Sequence, residues 1–163
     1  MSNSDSISRA ALKKITPGVS AAMGSLHGAA VSAAQDAKVE PEILELVRIR
    51  ASQINGCAFC LDMHTKDARA QGETEQRLYA LNAWRETPFF TERERAALAL
   101  TESVTLVHDG HVPDAVYAEA AAVFDEAQVA ALIWAVTVIN AYNRIAIATR
   151  MVPGAYQPAQ KKS

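Results

Sequence analysis

Glu45-Leu46-Val47-Arg48-Ile49-Arg50-Ala51-Ser52-Gln53-Ile54-Asn55-Gly56-Cys57-Ala58-Phe59-Cys60-Leu61-Asp62-Met63-His64-Thr65 is the stretch that decides how this chain is read. Glu40-Pro41 opens its first half as a helix, and Ile43, Val47, Ala51 and Ile54 recur at helical steps. Asn55-Gly56 stops that helix, because both residues tolerate the left-handed conformation. The only two cysteines of the chain come next, three apart, with His64 beyond them. A second helix over 57–71, ending at Gly72, puts Cys57 and Cys60 about 60° apart around its axis, close enough for a disulfide. His64 lies about 40° from Cys60 and one turn later, on the same face. First-turn amides and the positive helix end favour the thiolate, the form that attacks peroxides or exchanges disulfides.

The turn carries a second expectation. If the two helices are antiparallel, residues equidistant from Gly56 face each other, and Glu45 and His64 lie about ten and eight residues from it. A carboxylate would then hold the imidazole, and the imidazole would take a proton from Cys60, directly or through a water. Blander readings exist for each residue. Glu45 can be a solvated charge paired with Arg48 and Arg50, and Phe59 a piece of core or pocket wall. His27, His108 and His111 read as surface or capping residues. A zinc module built on Cys57, Cys60 and His64 would have to draw its fourth ligand, such as His108 or His111, from a distant segment.

Outward from this stretch the period stays helical. Thr16-Pro17 opens a helix spaced by Val19, Met23, Leu26 and Ala30, with Thr16 as its cap. A shorter helix runs from Thr74 to about Trp84, with Trp84, Phe89 and Phe90 packing a corner or lining an apolar mouth. Thr91-Glu92-Arg93-Glu94 is a capping box, followed by a buried face of Ala97, Leu100, Val104 and Val107. Asp109-Gly110 breaks the chain before a helix near 113–123. A last helix over about 126–151 carries Val129, Leu132, Ile133, Val136 and Ile139, interrupted by Asn140, Asn143 and Arg144. Buried hydrogen bonding is the simplest use for that polar cluster.

Composition agrees with an all-α fold. Half of the 163 residues are hydrophobic but only 6% are aromatic, which favours closely packed helices over a sandwich of strands. A net charge of −2 gives no footprint for nucleic acid. No signal-peptide pattern opens the chain, and no run reaches the roughly 18 apolar residues of a membrane span. A cytoplasmic protein is expected, and in a reducing compartment a close cysteine pair is a catalytic or metal-binding feature before a structural one.

The 45–65 run resembles the core of alkylhydroperoxidase D-like proteins of the carboxymuconolactone decarboxylase superfamily. The likeness continues through Ala68-Arg69, Gly72, Trp84-Arg85-Glu86, 91–98, Asn140 and Asn143-Arg144. It implies one all-helical domain over 1–163, with the CxxC at the start of a central helix, a redox core at about 41–107 and a flexible tail at about 155–163. It also implies a homo-oligomer, a trimer or hexamer. The activity implied is reduction of organic hydroperoxides, without a metal or bound cofactor. Cys60 would attack the peroxide, Cys57 would resolve the sulfenic acid as a Cys57–Cys60 disulfide, and His64 and Glu45 would relay the proton. A dithiol would restore the thiols, a lipoylated partner protein being one source. Phe59 stands where well-known members carry a second histidine, which shortens the relay. The alternative is a thiol–disulfide oxidoreductase serving a protein partner; the lactone decarboxylase branch needs no thiol pair.

Overall fold

The computed structural model describes residues 7–159, and every regular element among them is helical. In order they are α1 (Leu12–Ile15), α2 (Pro17–Asp36), α3 (Pro41–Asn55), α4 (Ala58–Gln71), α5 (Glu75–Ala80) with a 3-10 turn at Leu81–Glu86, α6 (Glu92–Thr105), α7 (Asp114–Val123) and α8 (Glu126–Thr149). The expected all-α architecture is observed.

Helix α3 is the centre of the bundle, in contact with α4, α6 and α8. Its buried residues run almost without a break through Ile43, Leu44, Glu45, Leu46, Val47 and Ile49. A helix buried on this many sides needs apolar residues all round. Ile43, Leu44 and Val47 join Leu100 of α6 and Val129, Leu132 and Val136 of α8 in the main core. Leu46 and Ile49 turn the other way, onto Leu81, Trp84, Phe90 and Leu98, so Trp84 and Phe90 are core. Phe89 is exposed. Helix α8 is 24 residues long and as apolar as a membrane span, with mean hydropathy 1.4 in its most apolar window, and its buried side forms a wall of this core.

The caps match the sequence at α6 and differ at α2. Thr91 and Glu94 form the capping box of α6, and Asp125 and Gln128 form another at α8. Thr16 does not cap α2: its hydroxyl donates back to the Leu12 carbonyl at 2.9 Å and closes α1 instead. Two apolar faces also differ from expectation. Val19 and Leu26 are exposed and only Ala30 of their stripe is buried, because α2 packs mainly against α8 and α1. Val107 is exposed because α6 ends at Thr105 and Leu106 leaves helical geometry.

Residues 154–156 come back onto the surface of α4. Gly154 N–H donates to Asp62 Oδ2 at 2.9 Å and the Tyr156 hydroxyl to Asp67 Oδ1 at 2.7 Å, so this segment lies on α4. Lys161 and Lys162, expected as a frayed end, and the first six residues lie outside the described ones.

Candidate active site

Gly56 takes φ +69° at the end of α3, and Cys57 N–H then reaches back to the Ser52 carbonyl at 3.0 Å. A Cβ at Gly56 would meet nothing within 4 Å, so the demand for glycine there is purely conformational. Cys57 follows in extended geometry as the N-cap of α4, and its Sγ accepts from Cys60 N–H at 3.4 Å. The two cysteines are joined in a disulfide across a Cα–Cα distance of 5.4 Å. Both are almost fully buried, 1% and 2% exposed, among Ala51, Ile139 and Ala146. Phe59 and Tyr142, both partly buried, pack against this cluster.

Across the hairpin, His64 Nδ1 meets Glu45 Oε2 at 2.9 Å, with both side chains buried. The pairing expected from symmetry about the turn is therefore present. Arg48 holds the other oxygen, Oε1, from one turn along α3, while Arg50 turns away to Glu102. Burial pushes the Glu45 carboxyl up, but the hydrogen bond from His64 and the Arg48 charge outweigh it and hold the group below the ordinary carboxylate range. A carboxylate fixed on Nδ1 selects the tautomer that leaves Nε2 for proton transfer. The same charges reach His27 of α2, where burial, Arg48 and His64 push the imidazole down against Glu45. The His27 ring stands edge-on to Tyr142 at 5.8 Å, a placement its spacing in α2 did not reveal.

The polar cluster of α8 has the structural use expected of it. Asn143 is fully buried, its Oδ1 accepting from Asn55 Nδ2 at 2.8 Å and its Nδ2 donating to Ser52 Oγ at 3.0 Å. Asn140 accepts from Asn55 at 2.9 Å and from Arg144 at 3.0 Å, and donates to Thr105 at 3.0 Å. These bonds tie α8 to the last turn of α3, directly before the residues that carry the sulfurs.

The donor atoms of Glu45, His64 and Asp67 lie within 4.8 Å of one another, the spacing a metal ion would ask for. The carboxylate oxygens are engaged by Arg48, His64 and the Tyr156 hydroxyl, and a guanidinium at the cluster opposes a cation. The set suits protons better than metal. His108 and His111 are exposed in the loop after α6, and neither joins a metal-sized cluster among the described residues.

Helices arranged this way, with a CxxC at a helix start and a buried Glu–His pair across a hairpin, define an alkylhydroperoxidase D-like protein. The chain belongs to the carboxymuconolactone decarboxylase family, whose model matches residues 17–103. It is 52% identical over 104 residues to the uncharacterized protein YdfG of Bacillus subtilis (strain 168), covering 64% of this chain and 71% of that one. Among solved structures it is similar to ATU0492 of Agrobacterium tumefaciens, a protein of unknown function for which a role in antioxidant defence as AhpD has been suggested. The two share 34% identity and a TM-score of 0.83 over 91% of this chain and 99% of the other. The debrominase Bmp8 shares the fold alone, with 20% identity and a TM-score of 0.73 over 85% and 73% of the chains.

Proposed function

We propose that this protein is a dithiol peroxidase that reduces organic hydroperoxides in the cytoplasm. The observation that carries the reading is the buried Glu45–His64 pair, which links α3 to the helix whose start holds the Cys57–Cys60 disulfide. In the reduced protein His64 takes the Cys60 proton while Glu45 stabilises the imidazolium. The Cys60 thiolate attacks the terminal peroxide oxygen, the O–O bond breaks, and the departing alkoxide takes the proton from His64. The products are an alcohol and a Cys60 sulfenic acid. The Cys57 thiolate then attacks that sulfur, forming the disulfide and releasing hydroxide, which leaves as water. A dithiol reductant returns the pair to thiols and becomes a disulfide itself.

Burial of both sulfurs favours a small substrate over a folded protein's disulfide, whose sulfur could not approach them. A slender dithiol such as a lipoyl group on a carrier protein meets that constraint. Exposed Ile15, Val19 and Leu26 along α1 and α2, with Trp134 and Ile147 on α8, support assembly as a homo-oligomer. The test is a free-thiol count on fully reduced protein before and after stoichiometric cumene hydroperoxide. Rapid loss of both thiols within one chain is expected; persistence of both removes peroxide as the substrate and leaves partner-disulfide exchange.

A further inference from the structure

Asp67 follows His64 by three residues on α4, so the two share a face of that helix. Its carboxylate lies within 4.8 Å of the donor atoms of Glu45 and His64, which gives the imidazole negative groups from two helices. The Tyr156 hydroxyl donates to Asp67 Oδ1 at 2.7 Å. The segment that carries Tyr156 is itself seated on α4. Lys66 Nζ donates to the Tyr156 carbonyl at 3.0 Å, the Gly154 carbonyl at 3.3 Å and Asp62 Oδ2 at 3.0 Å. Asp62 Oδ2 also accepts Gly154 N–H, which closes the strap. The hydrogen bond to Asp67 and burial push the Tyr156 hydroxyl up to about 12, so it remains a donor at neutral pH.

We infer that Asp67 and Tyr156 are positioning residues for the Glu45–His64 pair. Asp67 brings a second carboxylate to the ring from α4, and Tyr156, held by the strap, keeps that carboxylate in place. Its consequence for thiol activation rests on the dithiol reading above; its effect on His64 does not. The other charged or titratable groups around His64 are Glu45 and Arg48 from α3, His27 from α2, and Cys57 and Cys60 once reduced. None of these is altered by changing Asp67 or Tyr156.

The experiment is heteronuclear NMR of the His64 ring nitrogens at one fixed pH in the full-length oxidised protein, the signals identified by their loss in His64→Gln. Asp67→Asn is expected to move the Nδ1 and Nε2 resonances, because the ring loses one of its two neighbouring carboxylates. Tyr156→Phe is expected to move them the same way by less. The double variant should move them no further than Asp67→Asn, because Tyr156 acts through Asp67. A merely structural role would lower the melting temperature and leave the resonances in place. Unmoved resonances in Asp67→Asn, or additive shifts in the double variant, overturn the inference. Since no turnover is measured, a protein that shows the shifts yet ignores peroxide refutes the peroxidase reading alone.

Discussion

Replacing Glu45 by Gln keeps the shape of the side chain and removes the charge that the Arg48 guanidinium and the His64 ring share. The glutamine oxygen can accept from His64 or from Arg48, and its NH₂ must then face the other. One charge-assisted hydrogen bond is lost at a site only 5% exposed, at about 1.5–3 kcal/mol. Stranding the remaining partner brings the total toward the roughly 3–5 kcal/mol seen when a buried pair loses one member. Arg48 is only partly buried, with 16% of its side chain exposed, and regains some hydration, so about 3 kcal/mol is the expected loss. For a chain of this length that lowers the melting temperature by about 6–12 °C at pH 7. The loss must also depend on pH. Glu45 is held below its ordinary range in the folded state, so its stabilisation is complete above the unfolded carboxyl value and disappears as pH falls through the lower folded one. Melting curves followed by circular dichroism between pH 3 and 7 should therefore converge for wild type and Glu45→Gln on the acid side. A gap under about 1 °C at pH 7, or one that stays constant to pH 3, would refute the assignment of Glu45 as a buried, charge-paired group.

Other substitutions probe other parts of the site. Cys57→Ser should trap a sulfenic acid on Cys60 after one equivalent of cumene hydroperoxide, read as a dimedone adduct by mass spectrometry; an unlabelled Cys60 argues against that order of attack. Asn143→Ala removes one of the two acceptors of Asn55, leaves the Ser52 hydroxyl without its donor and opens a cavity, a loss of about 2–4 kcal/mol in urea unfolding. A loss below about 1 kcal/mol would mean these bonds are dispensable. Gly56→Ala meets no steric obstacle, so strain at φ +69° should set its effect at about 1 kcal/mol. A neutral result at Gly56 would show that the turn relaxes.

Local signals carried most of what the sequence revealed. The Asn55-Gly56 stop fixed the hinge of the hairpin, and symmetry about it was enough to bring Glu45 opposite His64. Capping chemistry placed the start of α6. What periodicity lacks is knowledge of which distant surface a side chain meets. Asn143 stood out as polar in an apolar helix, yet its partners Asn55 and Ser52 lie far away in the chain. Val19 and Leu26 have helical spacing but no neighbour in the bundle to cover them. Tyr156 follows Pro153-Gly154, beyond any periodic segment, so nothing marked it as a neighbour of Asp67. Asp67 itself was legible as sharing a helical face with His64, but no rule of spacing ranks it above an ordinary surface carboxylate.

The hairpin also sets an order for assembly. The Glu45–His64 bond closes a span of 19 residues, whereas the Asn55–Asn143 bond closes 88. By loop-closure entropy the longer closure costs about 1.4 kcal/mol more, which must be met before α8 contributes anything to the turn. The α3–α4 unit can therefore form first, with the reactive groups already opposed, and α8 locks it afterwards. The cysteine pair and the Glu45–His64 pair lie in one short contiguous segment, while α8, which locks it, comes much later in the chain.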